Sequence, residues 1–208
     1  MRTYSSPTRD ADAAATRRRI IDAAARLFVR DGFAATSMKA IAAEADVSVQ
    51  SVNLAGPKAS LLIAAFELSF AGDEGRHALT SRPALVEIMG NPDTDAALAA
   101  YVTFLSEANQ RSAPIIRALR AAADADAAAR DAYRDLEERR HRDMVNGARW
   151  LVSRGLVALT STAEAADVLG YVTGPETYLA FAEDRGWRPD RYEDWLARAL
   201  RSLIIDVY

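Results

Sequence analysis

Residues 16–60 read TRRRIIDAAARLFVRDGFAATSMKAIAAEADVSVQSVNLAGPKAS, and the spacing within this stretch decides the fold. Ile20, Ile21, Ala24, Leu27 and Phe28 recur at helical intervals, which predicts a helix of about four turns with one buried stripe. Asp31-Gly32 ends it, because glycine is the usual residue at a left-handed C-terminal position. Thr36 and Ser37 are cap residues for a second, short helix whose apolar face is Met38, Ile41, Ala42 and Ala45. Asp46-Val47-Ser48 is a tight break, in which Asp tolerates an unusual backbone angle and Ser48 caps again. A third short helix runs from Val49 to about Ala55 and stops at Gly56-Pro57. Two short helices joined by a turn and packed on a longer one make a helix-turn-helix unit.

The rest of the chain is read as helix as well. Alanine occurs 44 times in 208 residues, against 10 glycines and 7 prolines, and no alternating strand-like run competes. A linking helix is expected over 60–71, followed by the breaking Gly72 and Gly75. Asn91-Pro92-Asp93 predicts a helix start, with Asn as cap and Pro at the first position, and that helix should reach Ser112. Pro114 is expected to open the next helix, and Asp126 to Arg154 a long charged one. Ser161 and Glu164 have capping-box spacing before a helix from Thr162 to Thr173, which Gly174-Pro175 breaks. Pro189 begins the last helix. The expected fold is all-α, an N-terminal three-helix helix-turn-helix domain followed by a helical bundle. Its boundaries are a loose arm over 1–15, the head over 16–60 and a body over 72–208.

Several function classes are set aside on composition. With no cysteine there is no disulfide, thiolate metal site or cysteine nucleophile. His77 and His141 are far apart in sequence, and no Gly-x-Ser-x-Gly elbow, phosphate-cradling glycine loop or His-Glu-x-x-His is present. Glu137 and His141 lie one helical turn apart, but on a Glu- and Arg-rich helix they read as a solvated pair rather than a metal site. The expectation is therefore no catalytic residue, no metal and no cofactor. No apolar stretch is long enough to span a bilayer, and the N-terminal Met1, Arg2 and Thr3 lead into polar residues rather than a secretory apolar core. No membrane partner and a cytoplasmic location are expected.

Charge is unevenly placed. Residues 1–60 carry nine Lys and Arg against six Asp and Glu, whereas the remainder carries 17 against 23. A basic head on an acidic body suggests that only the head meets a polyanion. The geometry of a helix-turn-helix holds its last helix so that the N-terminal residues enter the DNA major groove. Here those residues are Ser48, Val49, Gln50, Ser51 and Asn53. Gln and Asn amides pair bidentately with adenine, Ser reaches a base or a phosphate, and Val49 suits a thymine methyl. Arg17, Arg18, Arg19, Thr36, Ser37, Lys39 and Lys58 surround that helix as candidate phosphate binders. On spacing alone, a small helical packing module with an ordinary polar surface stays open beside this reading.

The same residues resemble a known family. Arg19-Ile20-Ile21-Asp22-Ala23-Ala24, Leu27-Phe28, Gly32-Phe33, Thr36-Ser37, Ile41-Ala42, Ala45 and Val47-Ser48 resemble the N-terminal signature of TetR-type transcriptional regulators, over roughly residues 16–66. The family usually has Tyr where Asn53 stands and an aromatic before the turn leading to Lys58, and that segment is one residue shorter here. The resemblance implies a homodimeric one-component repressor of a double-stranded DNA operator. It also implies a helical body that binds a small-molecule effector, whose binding changes the spacing of the two heads. Half-sites would lie about 34–36 Å apart.

Phe66, Phe70, Met89, Tyr101, Phe104, Ile116, Leu119, Met144, Trp150, Tyr171 and Tyr178 are candidate pocket residues in that body, each also readable as plain core. Few central positions carry charge, so a mostly apolar effector is expected. The resemblance implies dimerisation through the last two helices, whose apolar faces are Val168, Tyr171, Val172 and Leu179, then Trp195, Ala199, Leu203 and Val207. A homodimeric helical interaction protein with weakened operator binding is the alternative.

Overall fold

The computed structural model describes residues 7–75, 77–205 and 207, which form ten α-helices with short 3-10 and π turns and, among these described residues, no strand. They divide into two compact units, one of residues 1–68 with 114–133 and the other of residues 69–113 with 134–208.

The first unit holds α1 (Pro7–Ala35), α2 (Met38–Ala45), α3 (Val49–Ala55) and most of α4 (Lys58–Ala71). Its core is the expected stripe of α1, with Ile20, Ile21 and Phe28 each 1% exposed, closed by Ile41, Val52, Leu61 and Leu62. Gly32 breaks α1 with φ 80° and ψ 164°, a region open essentially to glycine alone. Ser37 caps α2 by accepting from the Ala40 N–H at 3.1 Å. Asp46 takes the left-handed conformation at φ 53°, and the Val47 N–H closes the turn onto the Ala42 carbonyl at 3.0 Å. Ser48 then caps α3 through the Ser51 N–H at 3.0 Å.

One correction falls at the front. The arm expected over 1–15 lies in part outside the described residues (1–6), but from Pro7 onward it is helix continuous with α1. Ala11, Ala13, Ala14 and Ala15 explain it, since alanine sustains an exposed helix without a packed face.

The second unit contains α5 (Pro83–Gly90), α8 (Thr162–Val172), α9 (Pro175–Tyr178) and α10 (Pro189–Leu200). Two long helices, α6 (Thr94–Ala125) and α7 (Ala127–Ser153), contribute residues to both units. Pro114 does not open a new helix. It sits inside the 32-residue α6, on an exposed position four residues after the equally exposed Gln110, whose carbonyl loses its helical donor but stays near water. The start of α6 is capped by Asp93, which accepts from the Ala96 N–H at 3.0 Å, while Asn91 makes a local turn onto the Asp93 N–H. Ser161 makes no side-chain cap, because a 3-10 turn over Leu159–Ser161 runs straight into α8.

Two five-residue π turns, Leu179–Glu183 and Arg201–Ile205, extend α9 and α10. Buried Asn109 of α6 donates to the Thr173 carbonyl at 2.9 Å and fastens the end of α8. Among the described residues no single helix is long and apolar enough to cross a membrane.

Replacing Gly32 by Ala should destabilise the protein by about 1–3 kcal/mol, because an L side chain is strained at this backbone angle. Urea unfolding of the two proteins measures it, and an unchanged midpoint would contradict this account of the α1 break.

Candidate nucleic-acid interface and inner cavity

The third helix is held from one side and open on the other. Val52 is 0% exposed and pins α3 to the head's core. Gln50 and Asn53 are exposed, Val49 is 41% exposed, and the Ser48 and Ser51 hydroxyls are 2.9 Å apart within the cap. Leu54 is 81% exposed and was not among the expected contacts. Helical spacing carries the signal for it: Leu54 follows Gln50 by four residues and so shares the ridge opposite Val52.

Three of the expected phosphate binders lie in the joints of the head. The Arg17 guanidinium donates to the Ala55 carbonyl at 2.5 Å, capping the C-terminal end of α3. The Lys58 ammonium donates to the carbonyls of Phe33 at 2.8 Å and Thr36 at 3.1 Å, and sits 4.1 Å from the centre of the Phe33 ring. Thr36 is 2% exposed and its hydroxyl donates to the Gly32 carbonyl at 2.8 Å. Ser37 is exposed with its oxygen used as the α2 cap, and Arg18 pairs with Asp22 at 3.2 Å. Lys39 and Arg19 are exposed. The protein can therefore present amides, an apolar side chain and a few cations on one face, with the other basic groups fixing that face in place.

The second unit contains a narrow, partly open cavity of about 30 Å³. Tyr101, Met144 and Trp150 of the expected pocket set line it, as does Met89. Leu85, Ile88, Leu98, Leu169 and Ile204 complete much of the wall and were not singled out by the sequence, where they read as ordinary core leucines and isoleucines. The remaining expected members lie elsewhere. Phe66, Ile116 and Leu119 are buried in the first unit, and Phe70 meets Phe104 edge-on at 6.3 Å outside the cavity lining. Tyr178 packs edge-on against Tyr192 at 4.9 Å, and Tyr171 is 81% exposed.

Among the described residues, one charged side chain reaches the cavity wall. Asp143 accepts from the Leu79 N–H at 2.9 Å. Burial raises its pKa above the ordinary carboxylate value, opposed by the Leu79 bond and by the charges of Arg82, Arg139 and Arg142. Burial likewise raises the Tyr101 phenol, with the Asp143 charge adding to the effect, so the hydroxyl stays protonated. The Trp150 indole N–H donates to the Met89 carbonyl at 3.0 Å, which orients the ring at the wall.

Outside the cavity, Val168, Tyr171, Val172, Phe181, Trp195 and Leu203 line a shallow apolar groove. Of the expected interface residues, Val172, Leu179 and Ala199 are mostly buried. Phe181, unflagged by the sequence, lies 4.4 Å from Trp187 and 4.6 Å from Trp195 by ring centres. Glu137 and His141 are drawn to different neighbours: Glu137 accepts from Arg140 at 2.6 Å, and His141 lies 3.7 Å from Asp167. No group of three metal-ligating side chains occurs among the described residues.

A head of three short-linked helices whose last member is capped at both ends and open along one ridge is that of a helix-turn-helix DNA-binding regulator. Residues 20–55 match the model of bacterial regulatory proteins of the tetR family. Its fold is shared with solved structures assigned as transcriptional regulators. One, from Saccharomonospora viridis in complex with choline, has TM-score 0.64 and 19% identity over 92% of this chain and 98% of that one. Another, from Pseudomonas aeruginosa PAO1, has TM-score 0.63 and 18% identity over 90% and 89%. A TetR-family protein from Mesorhizobium loti has TM-score 0.62 and 19% identity over 91% and 95%. No curated protein sequence matches the chain.

A carboxyl whose folded pKa is raised favours folding only while it is protonated, and that contribution fades as pH rises through the folded value. Asp143→Asn, which keeps an acceptor for the Leu79 N–H, should therefore raise the melting temperature at pH 7. The gain should shrink as pH falls toward the ordinary carboxylate value of 3.8. Melting curves across that range check it; a destabilised variant at pH 7 would show that the arginines outweigh burial.

Proposed function

We propose that the protein is a ligand-responsive repressor that binds a palindromic operator as a homodimer and leaves it when a small, mostly apolar molecule occupies the second unit's cavity. The observation that carries this reading is the outward ridge of α3, where Gln50, Asn53 and Leu54 stand exposed on a helix fastened at both ends. The amides of Gln50 and Asn53 suit adenine edges, and Leu54 and Val49 suit thymine methyls. Lys39 serves phosphates, whereas Lys58 and Arg17 act by positioning. Dimerisation is supported by the apolar groove around Tyr171 and Leu203, side chains that are costly to leave in water. Effector binding is supported by the cavity itself and by the choline complex of the Saccharomonospora viridis protein.

A gel shift on the gene's own upstream DNA tests the reading. Gln50→Ala and Asn53→Ala should each cost about 1–3 kcal/mol on the preferred site and little on random DNA. Lys39→Ala should weaken both alike and lower the salt slope by about one. No preference for any upstream sequence over random DNA at low salt would favour the interaction-protein alternative. In sedimentation experiments Leu203→Glu should shift the dimer toward monomer while leaving each monomer folded; an unchanged dimer would move the interface elsewhere.

A further inference from the structure

We propose that the molecule taken by the second unit's cavity is an apolar one carrying a single ammonium group with N–H bonds, held by Asp143 and Tyr101. The proposal rests on the reading of this cavity as the effector site and names the chemical class of its occupant.

Four observations on the wall carry it. Asp143 is the only charged side chain among the described residues lining the cavity, and the rest of the wall is apolar apart from Thr80 and Tyr101. Its Oδ1 accepts from the Leu79 N–H, and Oδ2 receives no hydrogen bond from any described residue. The nearby Arg82 and Arg139 reach other carboxylates, those of Asp73 and Asp135, and none is within ion-pair distance of Asp143. The Tyr101 hydroxyl makes no hydrogen bond to a described residue either. Among the described residues the wall thus offers an unshared carboxylate oxygen and an unshared hydroxyl, against leucine, isoleucine and methionine side chains that suit a hydrocarbon body.

The alternatives fit worse on the same page. An anion would meet the Asp143 charge in an apolar setting, where repulsion is least screened. A neutral head, even a hydroxyl donating to the carboxylate oxygen, would bury the Asp143 charge without a countercharge. A quaternary ammonium has no N–H for either oxygen and would rely on an aromatic face. The Trp150 ring already has the Arg154 guanidinium 5.2 Å from its centre. A protonated amine satisfies both oxygens with charge-assisted hydrogen bonds.

Calorimetric titration of the full-length protein with octylammonium, trimethyloctylammonium, octan-1-ol and octanoate tests this with the tail held constant. Octylammonium should bind about tenfold or more tighter than octanol, the worth of a charge-assisted hydrogen bond. The trimethyl compound should gain little over octanol, and octanoate should bind weakest. Asp143→Asn, with its fold checked by circular dichroism, should bind octanol as the parent does and lose the ammonium preference. Tyr101→Phe should reduce that preference in part. Equal binding of all four probes, a trimethyl compound as tight as octylammonium, or an intact preference in Asp143→Asn would each overturn the proposal while leaving an effector cavity in place. Binding of none of the four would overturn the cavity reading and the proposal together.

Discussion

A helix of seven residues does not hold itself together in water, because nucleation is costly and so few hydrogen bonds follow it. Everything asked of α3 therefore depends on how its two ends and one side are fixed. Val52 supplies the side, 0% exposed on a helix that packs against α1 and α2. Ser48 satisfies an N-terminal donor, and Arg17 reaches from α1 to satisfy a C-terminal carbonyl. Lys58 fixes the segment behind by tying the start of α4 to the carbonyls of Phe33 and Thr36, where the chain leaves α1. A cation used in this way is removed from solvent competition and from any polyanion. The head thus spends part of its basic charge on rigidity, and in the function proposed above its specificity rests on the amides that remain outside.

The cavity of the second unit is built on a different balance. Its wall is mostly hydrocarbon where Asp143, Tyr101 and Thr80 do not enter, and burying a carboxyl there disfavours the charged form. The charges of Arg82, Arg139 and Arg142 soften that cost. A group that raises the energy of the empty protein and is relieved by an occupant converts binding into a large change in the local energy balance. This is the property a ligand-operated switch needs.

The head was legible in the sequence because each of its boundaries is a local chemical event. Gly32, Ser37, Asp46 and Ser48 do at short range what their side chains and backbone freedom allow, and the structure places a break or cap at each. The long helices were less legible. Pro114 reads as a start by local rules, yet helix α6 continues through it on an exposed edge where the lost hydrogen bond is tolerable. The cavity was legible only in its aromatics and methionines. Tyr101 and Trp150 stand out in any sequence, whereas Leu85, Ile88 and Leu169 look like every other core residue until tertiary packing leaves space beside them. Asp143 was hidden for the same reason: on a helix dense in Arg and Glu, nothing local separates one inward carboxylate from the solvated ones. Lys58 was misleading in the opposite sense, since a lysine in a basic head reads as a phosphate ligand until its carbonyl partners are seen.

Cavity and groove meet at the π turn over Arg201–Ile205. Ile204 and Ile205 stand on the cavity wall while Leu203, between them and α10, lines the apolar groove. A π turn inserts an extra residue into the helical repeat, which is what turns successive side chains toward both surfaces at once. Its hydrogen bonds are also less favourable than those of an α-helix, so returning this stretch to an α-helical register is a small rearrangement with a large geometric result. In the regulator proposed here, a molecule that pushes Ile204 and Ile205 aside necessarily shifts Leu203 in the groove. The two copies of the chain would then be re-seated through the very residues that sense the occupant.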